Sequence, residues 1–179
     1  MAQIVLPILL PIVFGALIPF IRLKSEKLRN VLVELVVLLN SGIVFALIAM
    51  HTEKAYTVFH LTDNLNISFK IDGMSIIFGG LVSILWPLAT LYAFEYMERE
   101  ERRPSFFAFY TMTFGVTLGV AFSANLMTLY IFYELLTLIT VPLVMHKMDA
   151  VSRDAARKYM VYSITGAAFA FIGFIFILT

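Results

Sequence analysis

Glu134 lies near the middle of an apolar stretch, residues 126–146, that contains no other Asp, Glu, Lys or Arg. In a helix rising ~1.5 Å per residue, this carboxylate would lie about 12 Å beyond the first apolar residue. That is too deep for a short side chain to reach either surface of a hydrocarbon layer ~30 Å thick. A carboxylate at this depth costs about 3 kcal/mol or more, and such residues usually mark the path of ions or protons. The predicted chemistry is therefore reversible binding of a proton or a cation.

Hydroxyl groups share one broad side of the predicted helix with Glu134. Spacings of three and four residues place four of them there: Tyr130, Tyr133, Thr137 and Thr140. A column of hydroxyls can order water, and ordered water can pass protons to a carboxylate. Pro142 removes a backbone donor and would free the carbonyl of Leu138, one turn beyond Glu134, for the same water chain. The alternatives are that the hydroxyls only satisfy a structural glutamate and that the proline only shapes packing.

Lys158 is the second charged residue with a predicted role. If Arg153 marks the cytoplasmic edge of the membrane, the axial distance from Lys158 to Glu134 is about 10 Å, which water could bridge. The alternative is that the lysine extends to the lipid headgroups. Three other ionisable residues lie near the ends of apolar stretches and are expected to reach the interface: Glu34, Glu95 and His146.

The composition predicts one transmembrane domain over residues 1–179 and no soluble domain. Of the 179 residues, 61% are hydrophobic and 14% are charged, which is far too apolar for a soluble domain. The net charge of +1 gives no indication of nucleic-acid binding. Without cysteine the chain cannot form disulfides, thiolate metal sites or iron–sulfur ligands. We expect it to bind no cofactor.

The fold class predicted is an all-α polytopic helix bundle, because backbone groups in lipid must bond within their own segment. Six stretches are long enough to cross a bilayer: residues 4–21, 31–50, 73–96, 105–122, 126–146 and 156–179. Eleven Lys and Arg residues fall in the odd-numbered connections and two in the even-numbered ones, which places the N-terminus outside. In the longest connection, residues 66–71 alternate as a short strand, and Asp72 is suited to cap the third helix.

Residues 125–145 (NLMTLYIFYELLTLITVPLVM) resemble the fifth helix of the antiporter-like subunits. These subunits occur in the proton-pumping arm of respiratory complex I, in Mrp-type sodium/proton antiporters (as their D-type component) and in membrane-bound hydrogenases. Three other segments agree in order and spacing: residues 71–75 (IDGMS), 95–97 (EYM) and 157–159 (RKY). The aromatic residue before the motif glutamate is often Trp in the family and is Tyr133 here. The resemblance extends over essentially the whole chain.

The resemblance implies that Glu134 is the ion-coupling carboxylate and that it faces a lysine from the family's seventh helix. Lys158 resembles a basic residue common at the start of the sixth helix. Family members usually contain many more helices, so this chain would be the N-terminal part of such a subunit. We expect that the gene is split and another chain supplies the remaining helices and the lysine, or that the sequence is part of a longer one.

The function implied is translocation of H⁺ or Na⁺ within a multisubunit complex. The complex would be a redox-driven pump, NADH dehydrogenase-like or hydrogenase-like, in which this chain is a non-redox subunit, or an Mrp-type antiporter. The expected partners are other membrane subunits and the lipid bilayer, with no nucleic acid. The expected location is a prokaryotic cytoplasmic membrane, with an inner organellar membrane as an alternative. A structural or assembly subunit that no longer conducts ions is the competing hypothesis.

Overall fold

The computed structural model describes residues 2–21, 25–50, 54–60, 65–100 and 102–178. The helices are α1 (Leu6–Leu17), α2 (Glu26–Met50), α3 (Gly73–Tyr96), α4 (Arg103–Ala121), α5 (Leu126–Val144) and α6 (Ala150–Leu178). A 3₁₀ turn, Ala2–Val5, precedes α1, and two strands, β1 (Tyr56–His60) and β2 (Asn66–Phe69), lie between α2 and α3. The predicted all-α polytopic bundle is confirmed.

Five of the helices, α2 to α6, are long and apolar enough to cross a membrane. The first is shorter: α1 has 12 residues and its preceding 3₁₀ turn has 4. At ~1.5 Å and ~2.0 Å per residue these two elements together span about 26 Å, close to the hydrocarbon thickness. The extent of the single transmembrane domain and the orientation remain predictions. Two residues counted for the orientation, Arg22 and Lys24, and the last residue of the sixth stretch, Thr179, lie outside the described residues.

The helix ends differ from the predicted spans where polar residues extend a helix beyond its apolar part. Helix α2 begins at Glu26 and α6 at Ala150, several residues before the predicted starts at 31 and 156. Asp149 caps the longer α6, because its Oδ1 accepts the Ser152 N–H at 2.6 Å. Conversely, α1 ends at Leu17 rather than near residue 21. Pro19 follows, and helices usually end before a proline.

Glycines bring α1 and α4 into close contact. A Cβ on Gly15 of α1 would lie 2.6 Å from the Ala108 carbonyl oxygen of α4. A Cβ on Gly115 of α4 would overlap the Ile8 carbonyl oxygen of α1. Small residues permit such close backbone approach between membrane helices, whose association depends on packing rather than on exclusion of water.

Asn40 joins α2 to α1 inside the bundle. Its side chain is fully buried, and Nδ2 donates to the Pro7 carbonyl oxygen at 3.1 Å. Pro11 explains this bond, because it has no N–H to donate to the carbonyl four residues earlier. The asparagine therefore supplies a donor that the helix itself lacks.

The predicted strand over residues 66–71 is present as β2, and the sequence did not indicate its partner β1. The two strands pair antiparallel, with Tyr56 opposite Phe69 and His60 opposite Asn66. Strand β2 also contacts the turn between α4 and α5, where the Ala124 N–H donates to the Ser68 carbonyl oxygen at 2.9 Å. The hairpin therefore lies over the ends of α4 and α5.

Asp72 caps α3, as predicted. Its Oδ1 accepts the Ser75 N–H at 2.9 Å, and its Oδ2 lies 3.0 Å from Lys70 Nζ. The Ser75 backbone hydrogen bond, followed by the interaction with Lys70, lowers the pKa of Asp72 to about 2. The carboxylate is therefore charged at neutral pH and stabilises the positive end of the helix dipole.

Candidate functional site

The hairpin fixes the start of α5, the helix that carries Glu134. Asn125 is the N-cap, with Oδ1 accepting the Thr128 N–H at 2.8 Å and Nδ2 donating to the Asn66 carbonyl oxygen at 2.9 Å. The fully buried Thr128 Oγ1 accepts the Ser68 N–H at 2.9 Å. Because these bonds join β2 to the first turn of α5, they set the position of the helix nine residues before the carboxylate.

Helix α4 and strand β2 cover the apolar side of α5. The Phe132 ring occupies the space that a Cβ on Gly119 of α4 would take. It also packs edge to face against Phe69 of β2, with ring centroids 5.4 Å apart. Glu134 lies about 160° further around the helix than Phe132, at 3.6 residues per turn. The carboxylate is therefore on a different side of α5 from the α4 contact.

Helix α6 packs against the side that holds Tyr130 and Thr140. The Tyr130 ring is parallel to Phe174 at 6.3 Å and lies 5.5 Å from Phe171. Further along, Thr140 Oγ1 lies 2.7 Å from the Tyr159 hydroxyl. These contacts define an antiparallel register in which Glu134 is level with the small residue Ala167, which is 5% exposed.

The threonine hydroxyls of this side are bonded to backbone carbonyls. Thr137 Oγ1 donates to the Tyr133 carbonyl oxygen at 3.3 Å, and Thr140 Oγ1 lies 2.9 Å from those of Leu136 and Thr137. A hydroxyl has one proton, so Tyr159 must be the donor in its bond to Thr140. The threonine oxygens keep lone pairs that can accept from water, and their predicted role in ordering water stays a prediction.

Glu134 itself has one shielded and unpaired carboxylate oxygen. Its Oε1 is buried and has no hydrogen-bond partner within the described part of the chain. Burial of an uncompensated carboxylate oxygen is unfavourable by several kcal/mol, roughly, so a proton, a cation or a donor group must satisfy it. Such an arrangement allows the carboxylate to bind and release a positive charge.

A groove of about 260 Å³ lies beside the carboxylate, between α5 and α6. Its lining residues are Leu126, Leu129, Tyr130, Tyr133, Ala170 and Phe174. Tyr133 is 46% exposed, so its hydroxyl is available to water or to another helix. Pro142, the last of the predicted supporting residues, lies within the final turn of α5.

The structure does not bring Lys158 to Glu134. The α5–α6 register places the lysine level with Pro142, about 12 Å along the axis from the carboxylate at ~1.5 Å per residue. Lys158 Nζ instead pairs with Asp154 at 3.1 Å, and 68% of the lysine side chain is exposed. A water-linked partnership between Lys158 and Glu134 therefore stays a prediction.

Two residues near this site were not predicted from their chemistry. Tyr159 binds Thr140, and only its place in the RKY segment drew attention to it. Asn125 caps α5 and binds the hairpin, which its position before an apolar run could have indicated. Glu34 also differs from expectation: its Oε2 is buried without a partner among the described residues, although an interfacial position was predicted. By contrast, Glu95 is exposed, as expected for a residue near a helix end.

The fold and the site define a class: a polytopic α-helical membrane protein with an unpaired carboxylate oxygen deep in an apolar helix. Comparison with protein families gives a match over residues 59–107 to the family described as NADH-ubiquinone oxidoreductase (complex I), chain 5 N-terminus. The matched part includes β2, Asp72 and α3, and thus two of the segments that carried the resemblance.

Relatives of known name are components of cation/proton antiporters. A probable K⁺/H⁺ antiporter protein of Rhizobium meliloti (strain 1021) is 35% identical over 63% of this chain and 11% of its own length. A Na⁺/H⁺ antiporter protein of Staphylococcus haemolyticus (strain JCSC1435) is 26% identical over 99% of this chain and 23% of its own length. A Na⁺/H⁺ antiporter protein of Alkalihalophilus pseudofirmus is 29% identical over 91% and 21%, respectively. The chain thus spans less than a quarter of the length of each of these relatives, all of which are named as subunits.

A solved structure has the same fold. One chain of the membrane-bound sulfane sulfur reductase, an archaeal respiratory membrane complex, superimposes with a TM-score of 0.80. The superposition covers 96% of this chain and 36% of that chain, at 18% sequence identity. Together these matches confirm the resemblance seen in the sequence. The chain is related to the N-terminal part of the antiporter-like subunits.

Proposed function

We propose that this chain is an ion-translocating antiporter-like subunit, or part of one, in a multisubunit membrane complex. Glu134 is the group that binds the transported H⁺ or Na⁺. The observation that carries the proposal is its buried Oε1, which has no partner among the described residues and lies halfway along an otherwise uncharged apolar helix. A carboxylate held in this way can gain or lose a positive charge without rearrangement of the fold.

A cationic side chain from outside the described residues completes the site. Both α5 and α6 have only 11% of their apolar segments buried, whereas α4 has 50%. Helices with so much uncovered surface contact lipid or further protein. A lysine from a neighbouring helix that approached along the α5–α6 groove would pair with Glu134, and movement of that charge would change the affinity of the carboxylate for protons.

The complex is located in the cytoplasmic membrane of a prokaryote. The named relatives support a cation/proton antiporter assembly, and the solved structure supports the fold of a respiratory complex. In either assembly this chain binds no redox cofactor and acts as a non-redox subunit. The transported ion is identified by measuring transport with Na⁺, K⁺ or neither cation present.

Transport by membrane vesicles that contain the whole complex tests the proposal. Glu134→Gln keeps the shape of the side chain but cannot exchange a proton, so we expect it to abolish most coupled transport. Glu134→Asp keeps the carboxylate on a shorter stem and should retain part of the activity. The matched control is Glu95→Gln, which changes an exposed glutamate on α3.

Subunit content must be measured by blotting in the same vesicles. Near-normal transport by a fully assembled Glu134→Gln complex would contradict the proposal and favour a non-conducting structural subunit. Loss of transport that is matched by the Glu95→Gln control would also contradict a specific role for Glu134.

A further inference from the structure

The unpaired buried polar atoms of this chain are concentrated on α2 and α3. Of the seven side-chain atoms that are buried without a partner among the described residues, only Glu134 Oε1 lies on another helix. Four of the others are uncharged groups: Asn40 Oδ1, Ser41 Oγ, Ser83 Oγ and Trp86 Nε1. The fifth is Glu34 Oε2, and the sixth is Arg29 Nε near the start of α2. A random scatter of packing defects would not select two facing helices.

The register of α2 against α3 brings these atoms together. Near one end, a Cβ on Gly80 would lie 3.9 Å from Ile48 Cδ1. Near the other end, Glu34 and Phe94 line the same groove of about 780 Å³. This antiparallel register makes Ser41 level with the middle of α3, close to Pro87.

Around that level, α3 presents polar groups one turn apart. Ser83 is 2% exposed and Thr90 is fully buried, with Trp86 between them on the same face. Pro87 has no N–H, so the Ser83 carbonyl also lacks its helical donor. The polar atoms thus extend along the axis from the level of Glu34 to that of Ser83. This distance is about 16 Å at ~1.5 Å per residue, roughly half the hydrocarbon layer.

Glu34 ends this series on the side of the α2 N-terminus. Its neighbours on α3 are the apolar Leu91 and Phe94. On α4, Tyr110 interacts electrostatically with Glu34, and its hydroxyl also interacts with Thr90. The groups around the carboxylate therefore include a titratable tyrosine and the amide of Asn30, which lines the same groove.

We propose that the polar atoms between α2 and α3 hold a short chain of ordered water molecules, which delivers protons to Glu34. Ser41 is about 10.5 Å along α2 from Glu34 at ~1.5 Å per residue. Three or so waters with ~2.8 Å spacing would bridge that distance. Water would give each unpaired atom a hydrogen bond: it donates to Asn40 Oδ1, accepts from Trp86 Nε1 and does either with the serine hydroxyls. The carboxylate takes a proton from the nearest water, and the next water replaces it.

This inference goes beyond the proposed function because it assigns a second proton-binding group, on the opposite side of α4 from α5. Its test uses no ion gradient, so its failure is separate from a failure of the transport proposal. Infrared difference spectra of the purified complex, recorded between neutral and acidic pH, detect the carbonyl stretch of a protonated carboxylic acid. We expect Glu34→Gln to remove one such band, and the exposed Glu95→Gln to leave that band in place.

The water chain is tested by deuterium exchange of the same band. Ser41→Ala combined with Ser83→Ala removes two groups that would hold the waters while leaving Glu34 intact. We expect the exchange to slow by about tenfold, equivalent to ~1.4 kcal/mol in the barrier. The matched control is Thr165→Ala, an exposed hydroxyl on α6 that donates to its own helix.

Two outcomes would overturn the proposal. If the assembled Glu34→Gln complex shows the same carboxyl bands as the wild type, Glu34 does not take up protons. If the double serine variant exchanges at the wild-type rate, the hydroxyls bind the helix backbone and no water chain connects them to Glu34. Should Glu34→Gln prevent assembly, the double serine variant, which keeps the glutamate, decides the question.

Discussion

At the scale of single residues, the site depends on what each polar atom of α5 is bonded to. Thr137 and Thr140 have their protons committed to backbone carbonyls, and Tyr159 donates to Thr140 across the α5–α6 contact. Glu134 Oε1 is the exception on this helix, since it is buried and unpaired among the described residues. The hydroxyls therefore set the geometry of the helix pair, and the carboxylate keeps the capacity to bind a charge.

Tyr159→Phe should weaken the α5–α6 contact. The change removes the 2.7 Å bond to Thr140 while keeping the ring, so we expect a loss of about 1 kcal/mol in stability. Thermal unfolding of the purified complex measures the effect. Tyr162→Phe, at a residue that is 76% exposed on the same helix, is the control and should unfold like the wild type. Equal unfolding of both variants would mean that the hydroxyl pair adds nothing to stability.

At the scale of elements, backbone contacts fix how the helices cross. Glycines at 15 and 115 let α1 and α4 approach until a side-chain carbon would meet a carbonyl oxygen. The hairpin then ties the outer turn between α4 and α5 through Ser68 and Asn125. Helix α5 is thus positioned by α4 and β2 before α6 contributes.

Gly115→Ala should separate α1 from α4. The new methyl group would overlap the Ile8 carbonyl oxygen, which belongs to the backbone and cannot rotate away. Overpacking of this kind costs about 1–3 kcal/mol. In contrast, Gly166→Ala on α6 has no atom within 4 Å of the new Cβ and should be neutral or slightly stabilising, because Ala favours helix. Unfolding of the two variants in the same detergent measures the difference, and equal stability would contradict the close crossing.

The cap of α3 should weaken at acidic pH. The folded-state pKa of Asp72 is about 2 against an ordinary value of 3.8. Since the folded pKa is the lower one, the charged carboxylate stabilises the cap above pH 3.8, and this contribution is lost as the pH falls towards about 2. Hydrogen exchange of the Ser75 amide should therefore speed up over that range. Asp72→Asn should remove most of the pH dependence, and an unchanged profile in this variant would contradict the assignment.

At the scale of the whole molecule, the helices are unequally covered. Half of the apolar part of α4 is buried, whereas α5 and α6 are largely uncovered, including Phe169 and Phe176 of α6 at 71% and 77% exposure. The N-terminal helices form the packed side of the bundle. The side that carries Glu134 is open to lipid or to further protein.

Cysteine labelling tests the orientation of the whole chain. The protein contains no cysteine, so single replacements give a clean background. We expect a cysteine at Lys54 to react with a membrane-impermeant reagent from outside, and one at Arg102 to react only from the cytoplasmic side. The reason is the excess of Lys and Arg in the odd-numbered connections. Reaction of both positions from the same side would disprove the predicted topology.

The sequence by itself determined the membrane class, the number of helices, the Asp72 cap and the depth of Glu134. These follow from hydropathy and local hydrogen bonds, which depend on neighbours along the chain. Only the tertiary structure decided that Tyr159 meets Thr140, that Lys158 turns to Asp154, and that Glu34 has a shielded oxygen beside α3. Apolar periodicity is weak in helices that are hydrophobic on all sides, so it does not tell which side meets another helix and which meets lipid. Those choices depend on glycine contacts, proline-freed carbonyls and the hairpin, which join residues far apart in the chain.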